Sequence, residues 1–301
     1  FIQGTSLQRN ISEDSLKILS DKGLIQNGLD AVRYHLLDGL RFDDEVKSVI
    51  AKKVKVQNPK DISFIRLYEY AANVSLNELG SGNIAVVYAD GDIIMGRGED
   101  NSIASDQYRA LLQGIRNDES IDAVVLRVNS PGGSALASDI IWREIELLKK
   151  EKPVVVSMGN YAASGGYYIA CNADSIFANA NTITGSIGVF SVIPNLGNFM
   201  KNKLGITFDG VKTSTYADMP STSRALNATE QKFIQSGVDS IYLAFKTKVA
   251  KGRKKSVEYI DSIAQGRVWI GADAVKVGLV DRIGDLNAAI ASGIIISALL
   301  K

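Results

Sequence analysis

Histidine and cysteine are nearly absent from this sequence. Its 301 residues include one histidine, His35, and one cysteine, Cys171. One cysteine cannot form an internal disulfide, and one cysteine with one histidine cannot supply a typical zinc site. We therefore expect neither a metal nor a cofactor, and we interpret Cys171 as a small buried hydrophobic residue.

An excess of one charge and a long apolar run are lacking as well. Lysine and arginine total 34 against 33 aspartates and glutamates, a net charge of +1, whereas a nucleic-acid-binding surface needs a basic face or stripe. Because no run of 18 or more apolar residues occurs, the sequence predicts no membrane-spanning helix within these residues. With 46% hydrophobic residues, the chain can bury one large core.

The sequence does contain an internal repeat. Residues 23–38 read GLIQNGLDAVRYHLLD and residues 266–281 read GRVWIGADAVKVGLVD, with seven identities in 16 positions at a constant offset of 243. Such a match predicts two copies of one structural unit. The second copy ends near residue 281 and the first near residue 38, so we expect the body of the first copy to precede Phe1.

Three regions follow from the repeat and from the hydrophobic pattern. Residues 1–53 are predicted to be the helical C-terminal end of the first repeat, and residues 54–82 a linker. Residues 83–301 are predicted to form the second, α/β repeat. Its Val- and Ile-rich runs at 84–90, 123–128, 153–158 and 175–180 lack polar alternation, as strands buried on both faces do. Helical patterns at 105–116 and 136–150 lie between them, which predicts a mainly parallel sheet flanked by helices.

Two loops at predicted carboxyl ends of strands are the candidate site, because such ends carry the ligand-binding loops of parallel sheets. The first, residues 129–134, reads NSPGGS, and the second, residues 159–168, reads GNYAASGGYY. Each loop alone is compatible with a structural turn, and Ser164 with a helix N-cap. Together they favour a site, since backbone amides in two glycine turns could bind an oxyanion beside the Ser164 hydroxyl.

A serine nucleophile needs a base. Because the sequence has a single histidine, it argues against a Ser-His-Asp triad. His35 lies in the predicted end of the first repeat, on a helix that we interpret as a surface element. The remaining common base is a desolvated lysine, whose pKa falls when it is buried without a counter-charge.

Four motifs in order carry a family resemblance: NSPGGS (129–134), YAASGGYY (161–168), TGSIG (184–188) and AQGRVWIGADAVKVGLVD (264–281). They resemble signal peptide peptidase (protease IV), a serine–lysine peptidase family, in its long, duplicated form. The resemblance covers about residues 83–285 and implies the fold of the Clp-protease/crotonase superfamily.

By motif, the resemblance implies that Ser164 is the nucleophile and that Ser186 orients the catalytic lysine. Gly132, Gly133 and Gly165 then form the oxyanion and substrate-binding backbone. This sequence departs from the family's pattern at the position of the catalytic lysine. In the short form it lies in the segment that matches residues 211–218, where Ala217 takes its place here, and in the long form it comes from the first half. We interpret Lys212 as an ordinary lysine and expect little or no turnover from residues 1–301 alone.

The resemblance also implies partners and a location. The substrates would be cleaved signal peptides, bound in an apolar groove that Ile187, Val189 and Phe190 could line, unless they pack in the core. It implies an upstream half of the same protein, a homo-oligomer, and attachment to the bacterial cytoplasmic membrane through a segment outside this chain, with the catalytic domain on the periplasmic face. Two alternatives remain open from the residues: a crotonase-like acyl-CoA enzyme and a non-catalytic assembly domain.

Overall fold

A parallel sheet forms the centre of the larger part of the chain. The computed structural model describes residues 2–62, 83–98 and 101–300. Within these residues the main sheet has the order β1-β4-β5-β6-β9, and β7 pairs with both β5 and β8. All pairings are parallel except β7 with β8. The strands are β1 Asn83–Asp90, β2 Asp92–Ile94, β3 Ser102–Ala104, β4 Ile121–Ser130, β5 Val154–Ala163, β6 Ser175–Ala178, β7 Ile183–Gly185, β8 Val268–Ile270 and β9 Arg282–Ile283.

Helices cover both faces of this sheet, which explains the unbroken apolar runs of its strands. Alternate residues of a strand point to opposite faces. Accordingly, Val124 and Leu126 of β4 belong to one core cluster, and Val125 between them belongs to another. The first cluster includes side chains of five helices, and a sixth helix covers the second. The five are α5 (Ser105–Asn117), α6 (Ala135–Leu148), α7 (Gly165–Ala170), α9 (Ala228–Arg253) and α10 (Val257–Ile263), and the sixth is α12 (Leu286–Leu300). The predicted α/β class, a mainly parallel sheet flanked by helices, is confirmed.

Helices with a clear apolar stripe were predicted, whereas the shortest strands were not. The patterns at 105–116 and 136–150 correspond to α5 and α6, and the short β2, β3, β7, β8 and β9 were not predicted. The helices are α1 Ile2–Arg9, α2 Glu13–Asp21, α3 Gly28–Arg33, α4 Asp43–Val54, α5 Ser105–Asn117, α6 Ala135–Leu148, α7 Gly165–Ala170, α8 Gly197–Leu204, α9 Ala228–Arg253, α10 Val257–Ile263, α11 Gly271–Lys276 and α12 Leu286–Leu300. None of these helices combines the length and apolar character needed to cross a bilayer.

The chain divides into two compact units. One contains residues 1–75 and 190–240, and the other contains residues 76–189 and 241–301, which hold the sheet. In the first unit, a charged cluster organises the segment before α9. The Arg224 guanidinium bonds to both Asp218 and Glu230, and Lys212 pairs with Asp218 at 2.8 Å. The predicted division at residues 53 and 82 remains a prediction, and most of the predicted linker, from residue 63 to 82, lies outside the described residues.

The two copies of the sequence repeat adopt the same local structure. Helix α3 and helix α11 start and end at matching positions, at the offset of 243. The Nε of Arg9 donates to the carbonyl oxygen of His35, and its guanidinium pairs with Asp38. The Nε of Arg253 donates to the carbonyl oxygen of Gly278, and its guanidinium pairs with Asp281.

The same bonds therefore recur where the sequence identity is low. His35 and Gly278 both have positive φ angles, of 61° and 73°. Ser12 and Ser256 each cap the following helix by accepting a hydrogen bond from the backbone N–H three residues on. The repeat is thus a structural unit and more than a coincidence of amphipathic helices.

Candidate active site

Ser164 lies on a strained turn between a strand and a helix. It joins the end of β5 to the start of α7 with φ 51° and ψ −119°, a conformation that a non-glycine residue adopts only when its surroundings enforce it. Its N–H donates to the carbonyl oxygen of Gly185 at 2.9 Å, and its own carbonyl oxygen accepts the N–H of Tyr168 at 2.9 Å. Strain of this kind, at a turn that follows a buried strand, lifts a side chain out of the sheet, as in the nucleophile elbows of hydrolases.

The Ser164 hydroxyl is neither sealed in the core nor used as a helix cap. The residue is half-buried, and its side chain makes no capping hydrogen bond to α7. The interpretation of Ser164 as an N-cap serine is therefore not supported, and the hydroxyl remains available to a ligand.

Gly132 and Gly133 bring the first loop against this turn. A Cβ at Gly132 would lie 2.6 Å from the nitrogen of Gly165 and 2.8 Å from the Cβ of Ser164. A Cβ at Gly165 would lie 3.1 Å from the Cα of Gly132 and 3.2 Å from the nitrogen of Gly133. The two loops thus touch through backbone atoms, and this approach requires glycine at each position.

Ile93 fixes the orientation of the Gly133 amide. The N–H of Ile93 donates to the carbonyl oxygen of Gly132, and its carbonyl oxygen accepts the N–H of Ser134, both at 2.8 Å. In this parallel bridge the groups flanking Gly133 bond to Ile93, so the N–H of Gly133 itself points away from that strand. Within the described part of the chain, the N–H groups of Gly133 and Gly165 donate to no acceptor. Both amides are therefore able to donate to an oxyanion.

Ser186 lies beside Ser164 at the end of the neighbouring strand. Ala163 pairs with Gly185 in parallel register, so Ser164 and Ser186 each follow directly after a paired position. Ser186 also has a positive φ, 48°, and its N–H donates to the carbonyl oxygen of Arg267 at 2.8 Å. The structure therefore brings all five predicted site residues together: Gly132, Gly133, Ser164, Gly165 and Ser186.

The residues considered as bases do not fit the role. Lys212 lies 2.8 Å from the Asp218 carboxylate, an ion pair rather than the desolvated setting without a counter-charge that a neutral lysine needs. Ala217 is exposed and His35 lies on the surface. No group of three His, Cys, Asp or Glu side chains within the described ranges could hold a metal.

The residues considered for an apolar groove separate into different environments. Ile187 is 1% exposed and packs in the core, so it does not line a groove. Val189 is half-buried, whereas Phe190 is 87% exposed. Cys171 is fully buried, as expected, and burial raises the pKa of its thiol to about 12.

Sequence reasoning missed the residues that support the two loops. Ser130 is buried, and its Oγ accepts the N–H of Gly132 at 3.1 Å. Ser138 packs against the second loop, where a Cβ at Gly165 would come within 2.6 Å of its Oγ. Tyr168 and Asp139 connect the helices that follow the loops. Ser130 and Tyr168 stand inside the quoted motifs, but only tertiary contacts reveal what they do.

Known sequences match this chain over most of its length. The profile of peptidase family S49 matches residues 146–293, and that of Clp protease matches residues 80–184. Protease 4 of Salmonella typhi is 38% identical over 97% of this chain and 48% of that protein. A putative signal peptide peptidase SppA of Enterococcus faecium is 38% identical over 70% of this chain and 62% of that protein. A putative protease of Methanocaldococcus jannaschii is 38% identical over 70% of this chain and 69% of that protein.

The matched segments contain the residues of the candidate site. The chain spans about half the length of the protease 4 sequence it matches, and the two profiles together include both glycine loops and Ser186. The chain therefore belongs to peptidase family S49.

Proposed function

We propose that this chain carries the nucleophile and the oxyanion-binding backbone of a serine endopeptidase. The observation that carries the proposal is the position of Ser164, on a strained turn between the unused N–H groups of Gly133 and Gly165. In an acyl transfer, such amides stabilise the negative charge that develops on the carbonyl oxygen, and removing one donor typically costs about 3–4 kcal/mol of transition-state stabilisation.

The reaction that fits this site uses a neutral lysine as the general base. The lysine takes the proton of Ser164 Oγ, and Oγ attacks the carbonyl carbon of the scissile peptide bond. The resulting ammonium group gives its proton to the leaving amine, and water then hydrolyses the acyl-enzyme. Ser186, next to Ser164 at the strand ends, would orient the lysine.

The lysine comes from an upstream half of the protein in this proposal. Support comes from the repeat, because residues 9–38 share helix positions, a serine cap and arginine bonds with residues 253–281. It also comes from the setting of Lys212, which the Asp218 carboxylate pairs. We expect little or no turnover from residues 1–301 alone, and peptidase activity of this chain without an added lysine-bearing part would contradict the assignment of the base.

Cleaved signal peptides are the proposed substrates, in line with the name of the Enterococcus faecium relative, a putative signal peptide peptidase. We further propose a homo-oligomer at the periplasmic face of the bacterial cytoplasmic membrane, anchored by a segment outside this chain. This rests on the family resemblance. Light scattering of the native protein, and its release from membranes by detergent but not by salt, would test it. A salt-released monomer would contradict it.

A peptidyl boronic acid tests the nucleophile without needing the base. Boron accepts the Ser164 oxygen, a B–O bond forms, and the hydroxyl proton passes to solvent, which leaves a tetrahedral boronate anion. We expect a boron-11 signal of a tetrahedral adduct, and its mass on the intact folded chain under native conditions. Ser164→Ala should abolish the adduct, and the exposed control Ser262→Ala should retain it. An adduct in Ser164→Ala, or none in the unaltered chain, would contradict the proposal.

A cleavage assay separates catalysis from a scaffolding role. In the protein that includes the lysine-bearing half, Ser164→Ala should remove peptide cleavage. Retained cleavage would instead favour an assembly domain.

A further inference from the structure

The hydroxyl of Tyr168 makes a hydrogen bond that joins the two helices behind the candidate site. Tyr168 is on α7, whose first residue is Gly165, and Asp139 is on α6, which begins two residues after Gly133. The Tyr168 hydroxyl donates to Asp139 Oδ1 at 2.9 Å. One bond therefore links the helices whose first turns lie next to the two proposed oxyanion donors.

Lys248 completes the connection from a third helix. Its ammonium group pairs with the same oxygen of Asp139 and lies 4.5 Å from the ring centre of Trp142 and 5.5 Å from that of Tyr168. Asp139 therefore accepts from two donors at once. A hydrogen bond to a charged acceptor is stronger and more directional than one to a neutral acceptor. Burial and the Asp139 carboxylate both raise the pKa of Tyr168, so its hydroxyl stays a donor at any physiological pH.

The hydrogen bond between Tyr168 and Asp139 lies only a few residues along each helix from the amides of Gly133 and Gly165. Gly165 is separated from Tyr168 by less than one turn of α7, and the N–H of Tyr168 also bonds to the carbonyl oxygen of Ser164. Apolar packing of Tyr168 on Phe245, at 4.6 Å between ring centres, resists separation of the elements but is not directional. A hydrogen bond between the helices resists sliding and rotation as well, and a small misplacement of oxyanion donors costs much of their effect.

We infer that Tyr168 and Asp139 are positioning residues that set the spacing between the amides of Gly133 and Gly165. The inference rests on the proposed function, and it adds the device that keeps the oxyanion site in register. Neither side chain is assigned contact with the substrate.

The test compares two ligands in the full chain. A peptidyl boronic acid places an anionic oxygen between the amides, whereas the peptide amide of the same sequence does not. We expect Tyr168→Phe to weaken boronate binding about tenfold and to change amide binding by less than about twofold. Tyr259→Phe is the matched control, because it removes a tyrosine hydrogen bond to the Val277 carbonyl oxygen elsewhere and should leave the ratio of the two affinities unchanged.

Asp139 variants provide the rescue comparison. Asp139→Leu should reproduce the loss in the boronate-to-amide ratio. Asp139→Asn retains an oxygen that can accept from Tyr168 and should recover most of it. If Tyr168→Phe does not fold, as judged by circular dichroism, this pair carries the same comparison. A normal ratio in Tyr168→Phe or in Asp139→Leu would overturn the inference and leave the proposed function standing. Failure of the unaltered chain to bind the boronate would overturn the proposed function itself.

Discussion

Ser164 and Ser186 occupy equivalent positions at the ends of two paired parallel strands, each one residue beyond the pair Ala163–Gly185. Both have left-handed backbones, with φ of 51° and 48°. The N–H of Ser164 donates to the carbonyl oxygen of Gly185 at 2.9 Å. The parallel register thus places Ser164 and Ser186 at neighbouring positions at the strand ends. Under the proposed function, Ser164 reacts there and Ser186 holds the base.

Ser186→Ala should separate these roles. If Ser186 orients the lysine, its loss should lower kcat/KM for a fluorogenic peptide by about 10- to 100-fold, since misplaced general bases lose most of their effect. This is measured on the protein that contains the lysine-bearing half. Boronate binding by Ser164, which needs no base, should stay within about twofold of normal. Unchanged kcat/KM would contradict the role of Ser186.

Two glycine-to-alanine substitutions should have opposite effects on stability. A Cβ at Gly133 would lie 2.2 Å from the carbonyl oxygen of Ile93, at a φ of 145°. We expect Gly133→Ala to lower the free energy of unfolding by more than about 2 kcal/mol. Gly114 is exposed in α5 with nothing within 4 Å of a Cβ, so Gly114→Ala should raise it by about 0.5–1 kcal/mol. Urea denaturation measures both, and equal effects would contradict the close approach of Gly133 to Ile93.

The two arginines of the repeat make the same bonds in different surroundings. The side chain of Arg253 is 7% exposed, and that of Arg9 is 27% exposed with a partner, Asp38, that is 93% exposed. Arg253→Met should lower the free energy of unfolding by about 3 kcal/mol, because it removes the donor of the Gly278 carbonyl and leaves the Asp281 carboxylate with the N–H of Ile176 but no counter-charge from Arg253. Arg9→Met should have little effect, since exposed pairs contribute little. Thermal and urea unfolding of the two variants provide the comparison, and a larger effect at Arg9 would refute it.

Acid should weaken the charged cluster of the first unit. The Arg224 guanidinium lowers the pKa of Glu230 and, with Lys212, that of Asp218. A depressed folded-state pKa adds stability that is present above the unfolded-state pKa, about 4 for these carboxyls, and is lost as the pH falls below it. The free energy of unfolding should therefore decline on acidification below about pH 4.5. Glu230→Gln should show a shallower decline, and an equally steep one would exclude Glu230 as a contributor.

The buried thiol should be inert in the folded protein. Because burial raises the pKa of Cys171 to about 12, almost no thiolate exists near neutral pH. We expect a disulfide reagent such as DTNB to label no thiol in the native chain at pH 8 and one per chain in denaturant, the number that the composition allows. Rapid native labelling would show that the core around Cys171 opens readily.

The sequence by itself determined the class of fold, and it indicated which residues form the candidate site. Short runs rich in valine and isoleucine without polar alternation favour strands buried on both faces. Residues 123–128 lie inside β4, and all of residues 153–158 except the first lie inside β5. The glycine pairs and Ser164 could be chosen because tight backbone approach leaves a mark on residue type. The repeat was visible for a similar reason, since the same turns and caps require similar residues at a constant spacing.

Only the tertiary structure decided how these residues act on one another. The short strands β2, β7 and β8 have too few residues for a periodic signal, yet β2 orients Gly133 and β7 places Ser186. The left-handed backbone of Ser164 and the bond from Tyr168 to Asp139 arise from contacts between residues far apart along the chain. Local propensity carries no trace of such contacts, because the free energy that enforces them comes from packing across elements rather than from neighbours in sequence.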